Sequence, residues 1–158
     1  MKITVLTVGH LKERYWHDAV SEYSKRLGRY VSLDIVEVDD EKTPDKYSAE
    51  TEPILKREAE RLEHHIRKGT YLITLEIKGK QTDSVSFADH IQKCQTNGIS
   101  DITFVIGGSL GLHKSITDRS DYHLSFSEMT FPHQLMRVIL LEQIYRCYRI
   151  INNEPYHK

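Results

Sequence analysis

The chain has 158 residues, with 22 Lys+Arg against 23 Asp+Glu and nine histidines, for a formal charge of −1. That length makes one domain, residues 1–158, able to bury roughly 70% of its unfolded surface without staples. Its 39% hydrophobic and 28% charged residues exclude a disordered tail, and its near-neutral charge argues against a uniformly basic nucleic-acid binder while leaving grouped basic residues open.

The opening Lys2–Val8 is a β-branched run ended by Gly9, with none of the regions of a secretory signal. Residues 13–29 then space Tyr15, Trp16, Ala19, Val20, Tyr23 and Leu27 along one helix face, and Gly28 closes the helix. Val31–Val38 alternates as a half-exposed strand. From Asp39 to Lys68, 16 of 30 residues are charged. This stretch reads as a turn at Thr43-Pro44-Asp45 and a solvated outer helix anchored by Ile54, Leu55, Ala59, Leu62 and Ile66. Tyr71–Ile77 is an apolar strand closed by Lys78-Gly79-Lys80, and Ser84–Gln95 a helix. Asp101–Ile106 is a buried-type strand, Lys114–Arg119 a short helix and Tyr122–Phe126 a fifth strand. A last helix runs from Pro132 to Ile151. Strands alternating with helices predict an α/β fold with a mostly parallel sheet and helices on both faces. No apolar run is long enough to span a bilayer.

Glycine is scarce: the chain has eight, and three fall in Gly107-Gly108-Ser109-Leu110-Gly111, after an apolar strand where α/β sheets bind ligands. A dinucleotide GxGxxG fails at Ser109, and a P-loop fails because His113 precedes Lys114-Ser115. The pentapeptide does match G-x-S-x-G, the nucleophile elbow of a small serine hydrolase or esterase. Asp118 or Asp121 and then His133 follow in the right order, but no HGGG motif does. The other readings are glycines that merely make a tight turn and a loop whose backbone N–H and C=O groups approach a ligand. No HExxH, Cys/His quartet or acidic Ca²⁺ loop is present, His64-His65 reads as solvated, and no metal is expected. Cys94 and Cys147 form no CxxC, which points to a reducing cytoplasm.

Pro132–Ile151 carries apolar residues on every side, and only four of its 20 residues are charged. Such a helix must be buried all round, so one face is expected to pack on a second copy of the chain. Arg137 falls among Leu140, Leu141 and Ile144. It needs either a structural ion pair, for instance with Glu142 of the partner subunit, or a role in the site. The end of the chain interleaves aromatic and basic groups, suited to RNA.

Four stretches together support a family resemblance. They are Phe104 to Leu112, Leu124 to Gln134, Leu141-Glu142-Gln143-Ile144-Tyr145-Arg146, and the terminal Pro155-Tyr156-His157-Lys158. With Lys2-Ile3-Thr4-Val5 and Leu75 to Lys80 they make the chain resemble, along its whole length, the RlmH family. These are small SPOUT-class methyltransferases of bacterial large-subunit ribosomal RNA. The resemblance implies a trefoil-knotted fold, a homodimer, S-adenosylmethionine as donor, and N3-methylation of a pseudouridine in 23S rRNA of assembled ribosomes. It assigns cofactor binding to Leu75, Gly107, Gly108 and the segment Phe126, Ser127, Glu128, Met129, Thr130 and Phe131. It assigns catalytic and RNA contacts to His133, Arg137, Arg146, Tyr156 and His157, with the tail reaching the partner's cofactor site.

Overall fold

Continuous aliphatic runs suit strands covered on both faces. The computed structural model, which describes residues 1–42 and 51–157, places two such runs at the middle of a sheet. They are β1 (Lys2–Val8) and β4 (Asp101–Ile106), each buried at every position but its first. The other elements, in chain order, are α1 (Arg14–Leu27), β2 (Ser32–Val38), α2 (Thr51–Glu63), β3 (Tyr71–Gln81), α3 (Ser84–Thr96), α4 (Lys114–Thr117), β5 (Tyr122–Ser125) and α5 (His133–Ile151). All the strands pair in parallel, in the order β2-β1-β4-β3-β5. β4 therefore inserts between two strands that precede it in the chain. No helix among the described residues is long and apolar enough to cross a membrane.

Side chains alternate across the sheet as the period of two requires. Ile3, Val5, Ile73 and Phe104 share one core with α1, α3 and α5, whereas Leu6, Val8, Leu72 and Val105 share another with α2 and α4. Helix ends follow local chemistry. Asp83 caps α3 by accepting the Ser86 amide N–H (2.8 Å), and Gly98 ends it at φ +82°.

The expected elements end within two residues of those observed, with one exception at β3. That strand does not stop at Ile77 but resumes, so that Leu75 and Lys80 both pair with Leu124. The intervening residues bulge out of the sheet. Gly79 permits this, because a Cβ there would lie 2.8 Å from the His123 carbonyl oxygen. The turn expected at Thr43-Pro44-Asp45 lies outside the described residues, as does Lys158.

α2 is not simply a solvated outer helix. Ile54, Glu58, Ala59 and Leu62 form a buried face at spacings of three and four, and the high charge of the segment hid a carboxylate on its inner side. α5 meets its expectation in part: no residue from His133 to Ile151 is exposed, but within the chain only Arg137, Leu140, Leu141, Ile144, Cys147 and Tyr148 are buried, and Leu135, Val138 and Ile139 remain half-buried.

Candidate active site

Carboxyl ends of parallel strands, where loops diverge at a switch in strand order, leave a crevice. Here the loops after β4 and β5, the bulge of β3 and the start of α5 enclose a cavity of about 690 Å³. That volume lies within the range of roughly 300–1,000 Å³ usual for small-molecule sites. Leu75, Gly107, Gly108, Phe126, Ser127, Met129, Thr130 and Phe131 line it, together with His133. Glu128, expected with them, does not line it and is exposed.

The glycine loop works by closeness of backbone. A Cβ on Gly107 would collide with the carbonyl of Gly111, and Gly111 itself sits at φ +86°. The amide of Gly111 donates to the Gly108 carbonyl (3.1 Å), closing a tight turn. On the β3 wall, Leu75 alone was expected. Glu76, Ile77 and Lys78 reach the site because the strand bulges, and the glycine inside an otherwise strand-like run was the available clue.

His133, the first residue of α5, is seated on the β1 end of the cavity. Its Nε2 lies 3.0 Å from where a Cβ on Gly9 would fall, and Gly9 has φ +87°. Burial, and then the charge of Arg137, push the imidazole's pKa below its ordinary value, with an opposing pull from Asp40. Behind it, Arg137 is 1% exposed and donates to the Glu37 carboxylate and to the Gly9 carbonyl. The ion pair considered with Glu142 of the partner subunit is therefore not the one formed. Glu37, 100 residues earlier in the chain, supplies the counter-charge because β2 runs beside β1. Burial opposes ionisation of Glu37, yet hydrogen bonds from His10 and the Leu11 amide, with the charge of Arg137, hold its pKa below the usual carboxylate value.

Arg146, Tyr156 and His157 form a second group. Arg146 donates to Glu142 through Nη2 (2.6 Å) and Nε (3.0 Å). The Tyr156 hydroxyl donates to the same carboxylate (3.2 Å), and its ring lies 4.6 Å from the Arg146 guanidinium. His157 Nδ1 is 3.4 Å from Arg146 Nη1. His157 lines a smaller cavity of about 360 Å³, and Leu124 and Phe126 are shared between the two cavities. The tail thus folds against its own α5. Within one chain, His157 and His133 line different cavities, both of which Phe126 borders.

The elbow reading does not hold. Ser109 is exposed, and the helix that should begin at the nucleophile starts only at Lys114. Of the proposed partners, Asp118 accepts from Lys114 (2.5 Å) and His133 is packed on Gly9.

Geometry and comparison agree on the class. A family model described as "Predicted SPOUT methyltransferase" matches residues 1–157, and the chain belongs to that family of methyltransferases. It is 60% identical over 159 residues to a protein of Methanococcus maripaludis and 55% identical over 159 residues to one of Methanococcus vannielii. Each match covers 100% of both chains, and both relatives bear the name "Putative ribosomal RNA large subunit methyltransferase H". Among solved structures, a probable methylase family protein from Haemophilus influenzae Rd KW20 superposes with a TM-score of 0.57 at 11% identity. That alignment covers 99% of this chain and 70% of the other, a likeness of fold.

Proposed function

We infer that this chain transfers a methyl group from S-adenosylmethionine to N3 of a pseudouridine in 23S rRNA of the assembled ribosome, as a cytoplasmic homodimer. The cavity is the observation that carries the reading. It joins apolar walls from Leu75, Ile106, Leu124 and Met136 to a glycine loop too tight at Gly107 for any side chain. An adenosyl group fits such a site, since it offers a flat apolar surface and ring nitrogens that backbone groups satisfy. The names of the two methanococcal relatives support the ribosomal RNA substrate, and the family resemblance supports the pseudouridine and the knot.

When bound, S-adenosylmethionine supplies an electrophilic methyl group. The protein's part is alignment and handling of one proton. Backbone groups of Gly107 and Gly108 would hold the ligand against the apolar wall, with Phe126, Ser127, Met129, Thr130 and Phe131 beside it. The N3–methyl bond would form as the sulfur–methyl bond breaks, its electron pair staying on sulfur as a thioether, and the N3 proton would pass to a base. His133, held neutral by burial and by Arg137, and His157 are the two candidate acceptors. Arg146 is the cation placed to favour the developing anion. Arg137 is engaged by Glu37 and Gly9 through its two terminal nitrogens, its buried Nε having no partner among the described residues, so it acts through the seat of His133. The half-buried Leu135, Val138 and Ile139 form the surface for a second copy, which would carry its Arg146–Tyr156–His157 group to this cavity.

Calorimetric titration with S-adenosylmethionine tests the reading, with saturable binding expected. Absence of binding at millimolar ligand would end it. Methyl incorporation into ribosomes lacking the modification tests the substrate. An unchanged methylation rate across pH in His157→Ala would remove that residue from the base role.

A further inference from the structure

Glu58 is a buried acid that the chemistry above does not use. It lies on the inner face of α2 and is 4% exposed. Its Oε1 accepts the amide N–H of Glu41 (3.0 Å), while its buried Oε2 has no hydrogen-bond partner among the described residues. An unmatched oxygen of this kind is costly, more so when charged. What it faces is the glycine loop. A Cβ on Gly108 would lie 3.3 Å from Oε2 and 3.4 Å from Oε1, and Gly108 itself lines the cavity. One residue's backbone therefore separates this carboxyl from whatever fills the site.

We propose that Glu58 is a positioning residue that selects charge: ionised behind Gly108, it favours the cationic sulfonium donor over the neutral thioether left after methyl transfer. The inference rests on the methyl-donor reading of the cavity. Among the described residues, these groups set its charge. Burial raises its pKa, the Glu41 amide lowers it, Asp40 and Glu41 on the connection after β2 raise it, and Arg61 on α2 lowers it. The Val8 methyl shares the Gly108 contact with Glu58, and residues 107–111 of the glycine loop carry no charge. A cation arriving beyond Gly108 draws the proton off, whereas a neutral ligand does not. When the sulfonium loses its methyl, its positive charge disappears, and the ionised carboxyl ceases to favour the ligand that must leave.

The test is calorimetric titration of wild type and Glu58→Gln with S-adenosylmethionine and, separately, S-adenosylhomocysteine, from pH 5.5 to 8.5. At pH 8.5 the variant should bind the sulfonium about five-fold more weakly, on the scale of unit charges interacting through protein, with thioether affinity unchanged. The difference between the two proteins should shrink as the pH is lowered and the carboxyl takes up its proton. Titration of His133 is common to both proteins and cancels in their ratio. Equal weakening for both ligands, or a ratio that does not move with pH, overturns the proposal. Failure of wild type to bind either ligand would instead overturn the donor reading. Arg61→Met gives a second route, since removing that cation should delay tight sulfonium binding to higher pH. No such delay also counts against the proposal.

Discussion

The imidazole of His133 rests on Gly9, so close that a Cβ at residue 9 would lie 3.0 Å from its Nε2. This contact joins the end of β1 to the start of α5 at the mouth of the cavity, and Arg137 fastens the same junction by donating to the Gly9 carbonyl. Gly9→Ala should suffer twice, from the φ of +87° and from displacement of the ring. We expect a loss of about 1–2 kcal/mol in denaturant unfolding, together with weaker donor binding. A variant with wild-type affinity for S-adenosylmethionine would show that the seat of His133 does not shape the site.

Glu37→Gln should strip the buried Arg137 of its counter-charge. Because the Glu37 side chain is 25% exposed, the cost at neutral pH should fall near the low end of the usual range, about 3 kcal/mol. The folded-state pKa of Glu37 is lowered, so its stabilisation is present above the unfolded value and lost as pH falls through the folded one. Chemical denaturation between about pH 5 and pH 3 should accordingly show a shallower loss of stability in Glu37→Gln than in wild type.

Glu58→Gln should behave in the opposite way. Its pKa is raised by folding, so the folded state prefers the protonated acid and the penalty appears as pH rises. The variant should melt with wild type in acid and above it at pH 8. A drop in melting temperature at pH 8 would contradict a carboxyl held in unfavourable surroundings.

Within the glycine loop, the side chain at residue 109 and the missing one at residue 107 should matter very differently. Ser109→Ala should bind S-adenosylmethionine within about two-fold of wild type, as exposed substitutions do, whereas Gly107→Ala should abolish binding by forcing the turn away from Gly111. Calorimetry on the two variants decides it. Ser109 also lines the cavity, so equal loss in both would show that its side chain holds the ligand.

Leu75, Gly107 and Phe126, which the family resemblance assigned to the cofactor, line one cavity; of the three, only the glycine loop was also marked by local pattern, an apolar strand ended by glycine. The bulge of β3 was less legible. Lys78-Gly79-Lys80 reads locally as a stop, and only pairing of Lys80 with Leu124 reveals that the strand continues. Glu58 was hidden for a similar reason. In a helix where charge dominates, nothing local marks the single acid that turns inward.

Periodicity and composition by themselves determined the alternation of strands and helices, the burial of α5 and the place of the glycine loop, since each depends on neighbours within a few residues. Only the tertiary structure decided that Arg137 belongs to Glu37, that His133 sits on Gly9, and that Glu58 stands behind Gly108. These pairings join residues 50 to 124 positions apart. Their contacts follow from the order in which parallel strands lie side by side, which no local pattern encodes.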